Sequence, residues 1–284
     1  MNSLRLLRVA AMSTGLTALA AGASIAATAP APATAAPAPA TAAVAKPTTA
    51  THAHATAKRK AAAPKGFVEP GALAALARMD SFLRANRSFA VKMSTARDEV
   101  DDFGQLLTFA GETTYNVKLP SDFTVDVADD TKVRRYVYDG KQLTIYDPAT
   151  GFYARFNAPP TIRATLDLAA SKYGFTFPLE DLFDWGEGQD NLKKLTSGHF
   201  VRTSKIDGQD ADQYAFRQPG VDWQIWIAKG VQAAPLRVVI VAGSDPARPR
   251  FETNLSWDTS PQFTAETFVF TPPPNAKQIQ IATG

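Results

Sequence analysis

The side chains able to do chemistry in this chain are few, and their spacing argues against most reactions. No Cys occurs, and the His are three. This removes disulfides, thiol nucleophiles, zinc–thiolate sites and the acylated Cys of a bacterial lipoprotein. His199, the only His outside the N-terminal tract, stands two residues after Ser197. A nucleophile–base pair also needs an orienting acid and a sharply turned nucleophile, and no G-x-S-x-G is present. His199 therefore reads as a strand residue at the surface. Glu180, Asp181 and Asp184 are close enough to suggest an acid pair, but three acids at the opening of a helix are explained by its positive end. Gly186-Glu187-Gly188 is too short for a phosphate loop. Asp98 to Asp102 lacks the Gly and the terminal Glu of a calcium loop. It reads as a solvated acidic turn. No catalytic residue, metal site or cofactor is expected.

Charge points the same way. Lys and Arg number 30 against 27 Asp and Glu. Seven of those bases lie before residue 66, where there is no acid, so the rest carries 23 bases against 27 acids. A mildly acidic body is a poor nucleic-acid binder. The first 26 residues have the form of an export signal: Arg5 and Arg8, a small apolar run from Val9 to Ala23, then Ser24-Ile25-Ala26 as the cleavage pattern. Residues 27–65 are Ala, Pro and Thr with scattered bases, too polar to offset the entropy of ordering. They read as a semi-extended linker, with His52 and His54 incidental to it. The folded domain is expected over 66–284, as a monomer.

Within that domain the hydrophobic period changes twice. Leu73, Leu76, Met79, Phe82 and Leu83 recur at helical spacing after Pro70. Period-two strands follow: Ser88–Arg97, Leu106–Leu119, Phe123–Val127, Arg134–Tyr138, Leu143–Tyr146 and Phe152–Phe156. Asp139-Gly140 reads as a type I′ turn and Asp207-Gly208 as another tight hairpin. A helix is predicted from Ile162 to Gly174, with further short helices at Pro178–Phe183 and Asn191–Leu195. Strands resume at Phe200–Ile206, Asp212–Arg217, Val221–Ala228, Leu236–Val241, Arg250–Trp257 and Thr267–Phe270. In Val221–Ala228 the residues Val221, Trp223, Ile225 and Ile227 share one face. Trp226 falls on the other, so this hairpin meets apolar material on part of both faces. Helix, antiparallel strands, helical insertion, antiparallel strands is the order of an α+β fold, with helices on one face of a curved antiparallel sheet.

Several motifs carry a resemblance. Arg135-Tyr-Val-Tyr-Asp-Gly-Lys-Gln-Leu-Thr-Ile-Tyr-Asp-Pro148, the Trp223–Val241 hairpin, Phe251 to Trp257, and Phe268-x-Phe270-x-Pro272-Pro273 together resemble the LolA/LolB-like superfamily of periplasmic lipoprotein carriers. Within it the chain is most similar to the DUF2092 group of periplasmic proteins. The resemblance implies an unclosed half-barrel whose concave face is covered by helices and takes up hydrophobic or lipid-like ligands such as acyl chains. Leu179 to Phe183 is similar in position to the helical plug of that superfamily. On this basis Phe89, Val91, Phe109, Trp223, Ile225 and Ile227 are expected to line the cleft, with Leu166, Leu168, Leu182 and Phe183 as its lid. The expected protein is non-enzymatic, exported to the periplasm and not lipidated. Two alternatives stand beside a carrier. One is a permanently plugged core. The other is a sensor or scaffold that uses the same sheet to hold a membrane-associated or envelope protein.

Overall fold

The computed structural model describes residues 66–180 and 190–281. The expected signal (1–26) and linker (27–65) lie outside them, as do Asp181, Leu182, Phe183, Asp184 and Gly186–Gly188. The elements run α1 (Pro70–Ala85), β1 (Ser88–Val100), β2 (Leu106–Lys118), β3 (Asp122–Asp129), β4 (Val133–Asp139), β5 (Gln142–Asp147) and β6 (Phe152–Asn157). Then follow α2 (Ile162–Tyr173), α3 (Asp190–Lys193), β7 (Ser197–Ile206), β8 (Gln209–Gln218), β9 (Val221–Ala228), β10 (Pro235–Ala242), β11 (Arg250–Asp258) and β12 (Lys277–Gln278).

All twelve strands form one open sheet in the order β12-β6-β5-β4-β3-β2-β1-β11-β10-β9-β8-β7. Two meanders, β1 to β6 and β7 to β11, meet along the antiparallel pairing of β1 with β11. Every neighbour is antiparallel except β12, which lies parallel to β6. The outer edge at β7 is partly covered by a parallel bridge between Val68 and Gly198. The fold is thus the curved, unclosed α+β half-barrel that the alternation and the resemblance predict.

The inner face carries buried side chains on β1 to β6 and β8 to β11, including Phe89, Val91 and Met93 on β1, Tyr115 and Val117 on β2, and Phe123 and Val125 on β3. An open sheet cannot bury that face by closing on itself. Two helices lie against it. Pro70 opens α1, where it loses no hydrogen bond. Ala72, Ala75, Leu76 and Met79 then turn one stripe into the core. In α2, the Thr161 hydroxyl accepts from the Ala164 backbone N–H, Gly174 ends the helix in the left-handed region, and Ile162, Leu166 and Ala169 face the core. No helix among the described residues is long and apolar enough to cross a membrane.

On the outer face Trp226 belongs to a smaller apolar cluster with Ala211, Ala228 and Val239. The Arg237 guanidinium lies 5.1 Å from the Trp226 ring centroid. The hairpin thus does meet apolar material on both faces. Across β5 and β6 the outer face is covered by the C-terminal segment, where Phe270 packs on Tyr146 and Tyr153 at 5.4 Å each.

Some local expectations are corrected. Thr267–Phe270 is not a strand, because Ala265–Phe268 is a 3₁₀ turn held by reciprocal Thr264 and Thr267 bonds. Asp98 to Val100 belongs to β1, since each finds a ladder partner in Leu106–Thr108. The turn proper is built on Asp101, whose Oδ1 accepts from the N–H of Phe103 and Gln105. Asp207 and Gly208 both have positive φ (48° and 83°), as a type I′ turn requires. Asp139 does not, so its hairpin is not type I′.

At Gly111 the β2–β3 pair is tightest: an added Cβ would stand 2.6 Å from the Asp129 Cβ. Gly111→Val is expected to force these strands apart and to cost about 1–3 kcal/mol, the usual range for overpacking. A urea midpoint equal to that of the parent would show that the two strands yield without cost.

Candidate functional site

The site is the trough along β1 and β2 and the segment that fills it. On the inner face the β1 row reads Phe89, Val91, Met93, Thr95, Arg97, and each residue is paired in register with β2: Val117, Tyr115, Thr113, Gly111, Phe109. The floor is therefore apolar at one end and polar at the other. The change falls between Met93 and Thr95.

Above this floor runs Phe175–Glu180, the chain that leaves α2. Phe177 is the anchor, with its ring centroid 4.8 Å from that of Tyr136 and 5.9 Å from that of Phe123, both edge-on. Pro178 offers its carbonyl to the Tyr115 hydroxyl at 2.7 Å. Leu179 is buried with φ of 54°, a left-handed conformation that costs a non-glycine residue about 1–2 kcal/mol. Glu180 is buried too, and its Oε2 accepts from the Phe177 backbone N–H at 3.3 Å. The plug is thus held by the Phe177 ring contacts, the Tyr115–Pro178 hydrogen bond and the burial of Leu179 and Glu180, and it holds backbone strain.

Two hollows flank this plug, and Pro178 borders both. The first is a gap of about 40 Å³ between the plug and the apolar floor, lined by Leu83, Phe89, Val91, Met93, Tyr115, Leu119, Leu179 and Trp257. It has room for a few water molecules, and a hydrocarbon chain enters only if the plug shifts. The second, also of about 40 Å³, is mixed: Thr95, Arg97, Glu112, Thr113, Asp129 and Lys132 line it beside Val127, Tyr136, Phe177 and Phe251. Arg97 there pairs with Glu99, approaches Asp129 at 3.6 Å and lies 5.2 Å from the Phe109 ring centroid. Burial pushes the Asp129 carboxyl up, but bonds from Thr131 and Lys132 outweigh it and hold the group below the usual carboxylate range. Lys132 is pulled below the usual amine range, chiefly by burial, with the like charges of Arg97 and Arg134 adding to it against Asp129.

Of the residues expected to line the cleft, Phe89 and Val91 border the gap. Trp223, Ile225 and Ile227 are buried in the same core but stand on β9, away from the gap, with Trp223 stacked on Phe216 at 4.4 Å. Phe109 shares the inner row of β2 but sits at its polar end, half-buried beneath Arg97 rather than beside the gap. Of the lid, Leu166 is buried and Leu168 half-buried on α2, while Leu182 and Phe183 lie outside the described residues. Phe177, Pro178, Tyr115, Leu83, Leu119 and Trp257 were not singled out for the site. Phe177 had a signal, an aromatic just before a Pro and after a helix-ending Gly. The others reveal themselves only once the register is known.

The residues with chemical potential do not assemble. His199 and Ser197 lie on β7, half-buried, opposite Ala215 and Arg217, and no hydrogen bond joins them. Among the described residues no three of His, Asp or Glu come together to hold a metal ion.

Burial above all, with the Glu180 charge added, pushes the Tyr115 hydroxyl well above its ordinary value. Because the folded value is raised, the stability this neutral phenol contributes is intact below about pH 10 and lost as the pH climbs through the folded value. Tyr136 and Tyr138 are raised too, each mainly by burial. Tyr115→Phe is therefore expected to soften the alkaline fall in urea midpoint without abolishing it. Identical alkaline profiles for the two proteins would place the cost on other groups.

Comparison with known proteins adds a family but no curated relative, since no curated protein matches the chain. Among solved structures the chain resembles the lipoprotein LppX of Mycobacterium tuberculosis, at 15% identity and a TM-score of 0.42, over 68% of this chain and 98% of that one. It also resembles LprF of Mycobacterium bovis, at 13% identity and a TM-score of 0.41, over 75% and 100%. A LolA superfamily protein of Nitrosomonas europaea matches at 10% identity and a TM-score of 0.36, over 70% and 97%. The DUF2092 family, described as predicted periplasmic protein, matches residues 72–282, nearly the whole of the half-barrel. The chain belongs to the DUF2092 family.

Proposed function

We propose that this is an exported, non-enzymatic protein that takes a hydrophobic or lipid-like guest into the trough beneath its plug. The observation that carries this reading is the apolar gap between β1 and a buried Leu179 held in the left-handed region. Phe89 and Val91 form the floor where the guest starts, and Phe177 and Leu179 are the side chains it displaces. Trp223, Ile225 and Ile227 form the wall it reaches if the chain is long, and α2 with Leu166 and Leu168 is the cover that rides over it.

Magnitudes favour exchange. Lifting two large apolar side chains out of a core costs about 3–6 kcal/mol, and each buried methylene of a guest returns about 0.8 kcal/mol. About four to eight methylenes therefore offset the loss, before any release of strain at Leu179. Ordinary acyl chains exceed that length. The N-terminal signal and the Pro-rich linker would carry the domain across the inner membrane and leave it free in the periplasm, since no Cys is available for acylation. In this reading residues 27–65 act as a spacer.

Trp257 borders the gap and its indole N–H donates to the Pro235 carbonyl at 2.7 Å, which makes it a fixed reporter. Adding a long-chain fatty acid to delipidated protein is expected to change Trp emission with saturation, and Trp257→Phe should remove most of that change. Delipidated protein that binds no fatty acid or lipid extract would sink the carrier reading. Phe177→Ala should cost about 3–5 kcal/mol of stability and at the same time tighten guest binding, because the plug loses its anchor. A variant that is destabilised but binds no better would mean that this segment is core and not plug. Mass spectrometry of the periplasmic form should find a chain starting near Ala27, and an intact N-terminus would refute cleavage there.

A further inference from the structure

The floor of the trough changes character along its length, and that change specifies more than an oily guest. On β1, Phe89, Val91 and Met93 give way to Thr95 and Arg97, while on β2, Val117 and Tyr115 give way to Thr113. The two hollows beside the plug follow this division and meet at Pro178, the residue they share. Moving Phe177–Leu179 aside would join them into one groove. From Phe89 to Arg97 the strand covers about 27 Å at roughly 3.3–3.4 Å per residue, with the Tyr115 phenol part-way along.

That phenol now donates to the Pro178 carbonyl. When the plug moves, this carbonyl moves with it, and a guest that brings an acceptor to the same spot can take its place. Beyond it, Lys132 reaches its neighbour Asp129 only at 4.0 Å, while the Asp129 carboxylate also takes bonds from the Thr131 hydroxyl and backbone and from the Lys132 backbone. Of the cations described at this end, Arg97 meets Glu99 and Asp129 and Arg134 meets Asp147 at 2.9 Å, so Lys132, at 4.0 Å from Asp129, is the least tightly paired.

Building on the carrier reading above, we propose that the guest is an acyl amphiphile with an anionic head: its chain lies over Phe89, Val91 and Met93, its carbonyl accepts from Tyr115, and its head rests against Lys132. Plain alkyl chains and cationic amphiphiles fit the apolar half alone.

Three probes with the same chain separate the contributions: dodecanoate, methyl dodecanoate and dodecyltrimethylammonium, each titrated into the delipidated full-length mature protein by Trp emission. The parent should bind both acyl probes at least tenfold more tightly than the ammonium probe. Tyr115→Phe loosens the plug for every guest but removes the donor, so the ratio of methyl dodecanoate to ammonium affinity should fall by about threefold to tenfold, whatever happens to the absolute values. Lys132→Met, at a partly exposed side chain, should weaken dodecanoate several-fold and leave the methyl ester unchanged. Binding of all three probes with equal affinity in the parent, or ratios that neither substitution alters, overturns the head-group assignment while the trough remains a hydrophobic site. Failure of all three to bind overturns both.

Discussion

An antiparallel sheet that stops short of closure has an inner face it cannot cover by itself. In this protein that face carries a row of large apolar side chains on every strand from β1 to β6 and from β8 to β11. Everything else is arranged around keeping water from it. The helix that precedes the sheet lays Ala72, Ala75, Leu76 and Met79 on it, and the insertion between the two meanders returns with α2 and then with Phe177 and Leu179. The cover therefore comes from segments outside the ladder, held by side-chain packing rather than by continuous backbone pairing. Such a cover can be exchanged without breaking a single strand–strand hydrogen bond.

The parts of the cover are not equally secure. Each helix buries a stripe several turns long, whereas the plug is a short segment held by the edge-on contacts of Phe177, a phenol–carbonyl bond and the buried Leu179. Leu179 in the left-handed region works against it. Positions of this kind persist only where the surroundings over-determine them, and in this trough the surroundings leave gaps on either side. A cover with a weak member beside unfilled space is the physical content of the word lid here.

How far the fold could be read from the chain depended on how its residues face. Strands that bury one face announce themselves by alternation, so Phe89–Met93 and Val221–Ile227 were placed on the correct side. Asp207-Gly208 fixed its hairpin because both residues accept positive φ. Asp98 to Val100 misled because β1 stays paired with β2 there after its ladder with β11 has ended, and polar residues cost little at such an exposed end. Thr267–Phe270 misled because Phe268 and Phe270 are two apart and packed, yet Phe268 closes a 3₁₀ turn and Phe270 follows it in irregular chain. The short β12 carries no pattern at all, being two polar residues beyond three prolines. The site was legible only in its floor. Alternation names Phe89 and Val91, but the neighbours that matter to them, Leu119, Leu179 and Trp257, come from elsewhere in the chain.

The seam between the two meanders has a kinetic meaning. Every strand pair within them joins near neighbours in sequence, except the short β12, but β1 and β11 are brought together from opposite ends of the domain, Ala90 opposite Asp258 and Arg97 opposite Phe251. Closing so large a loop is entropically slow, and contacts of long sequence separation retard folding. Each half can therefore assemble on its own timescale while β1 and β11 still expose unpaired edges. During synthesis β11 is the later of the two seam strands to emerge, so the nascent domain spends that interval with open rims that invite aggregation.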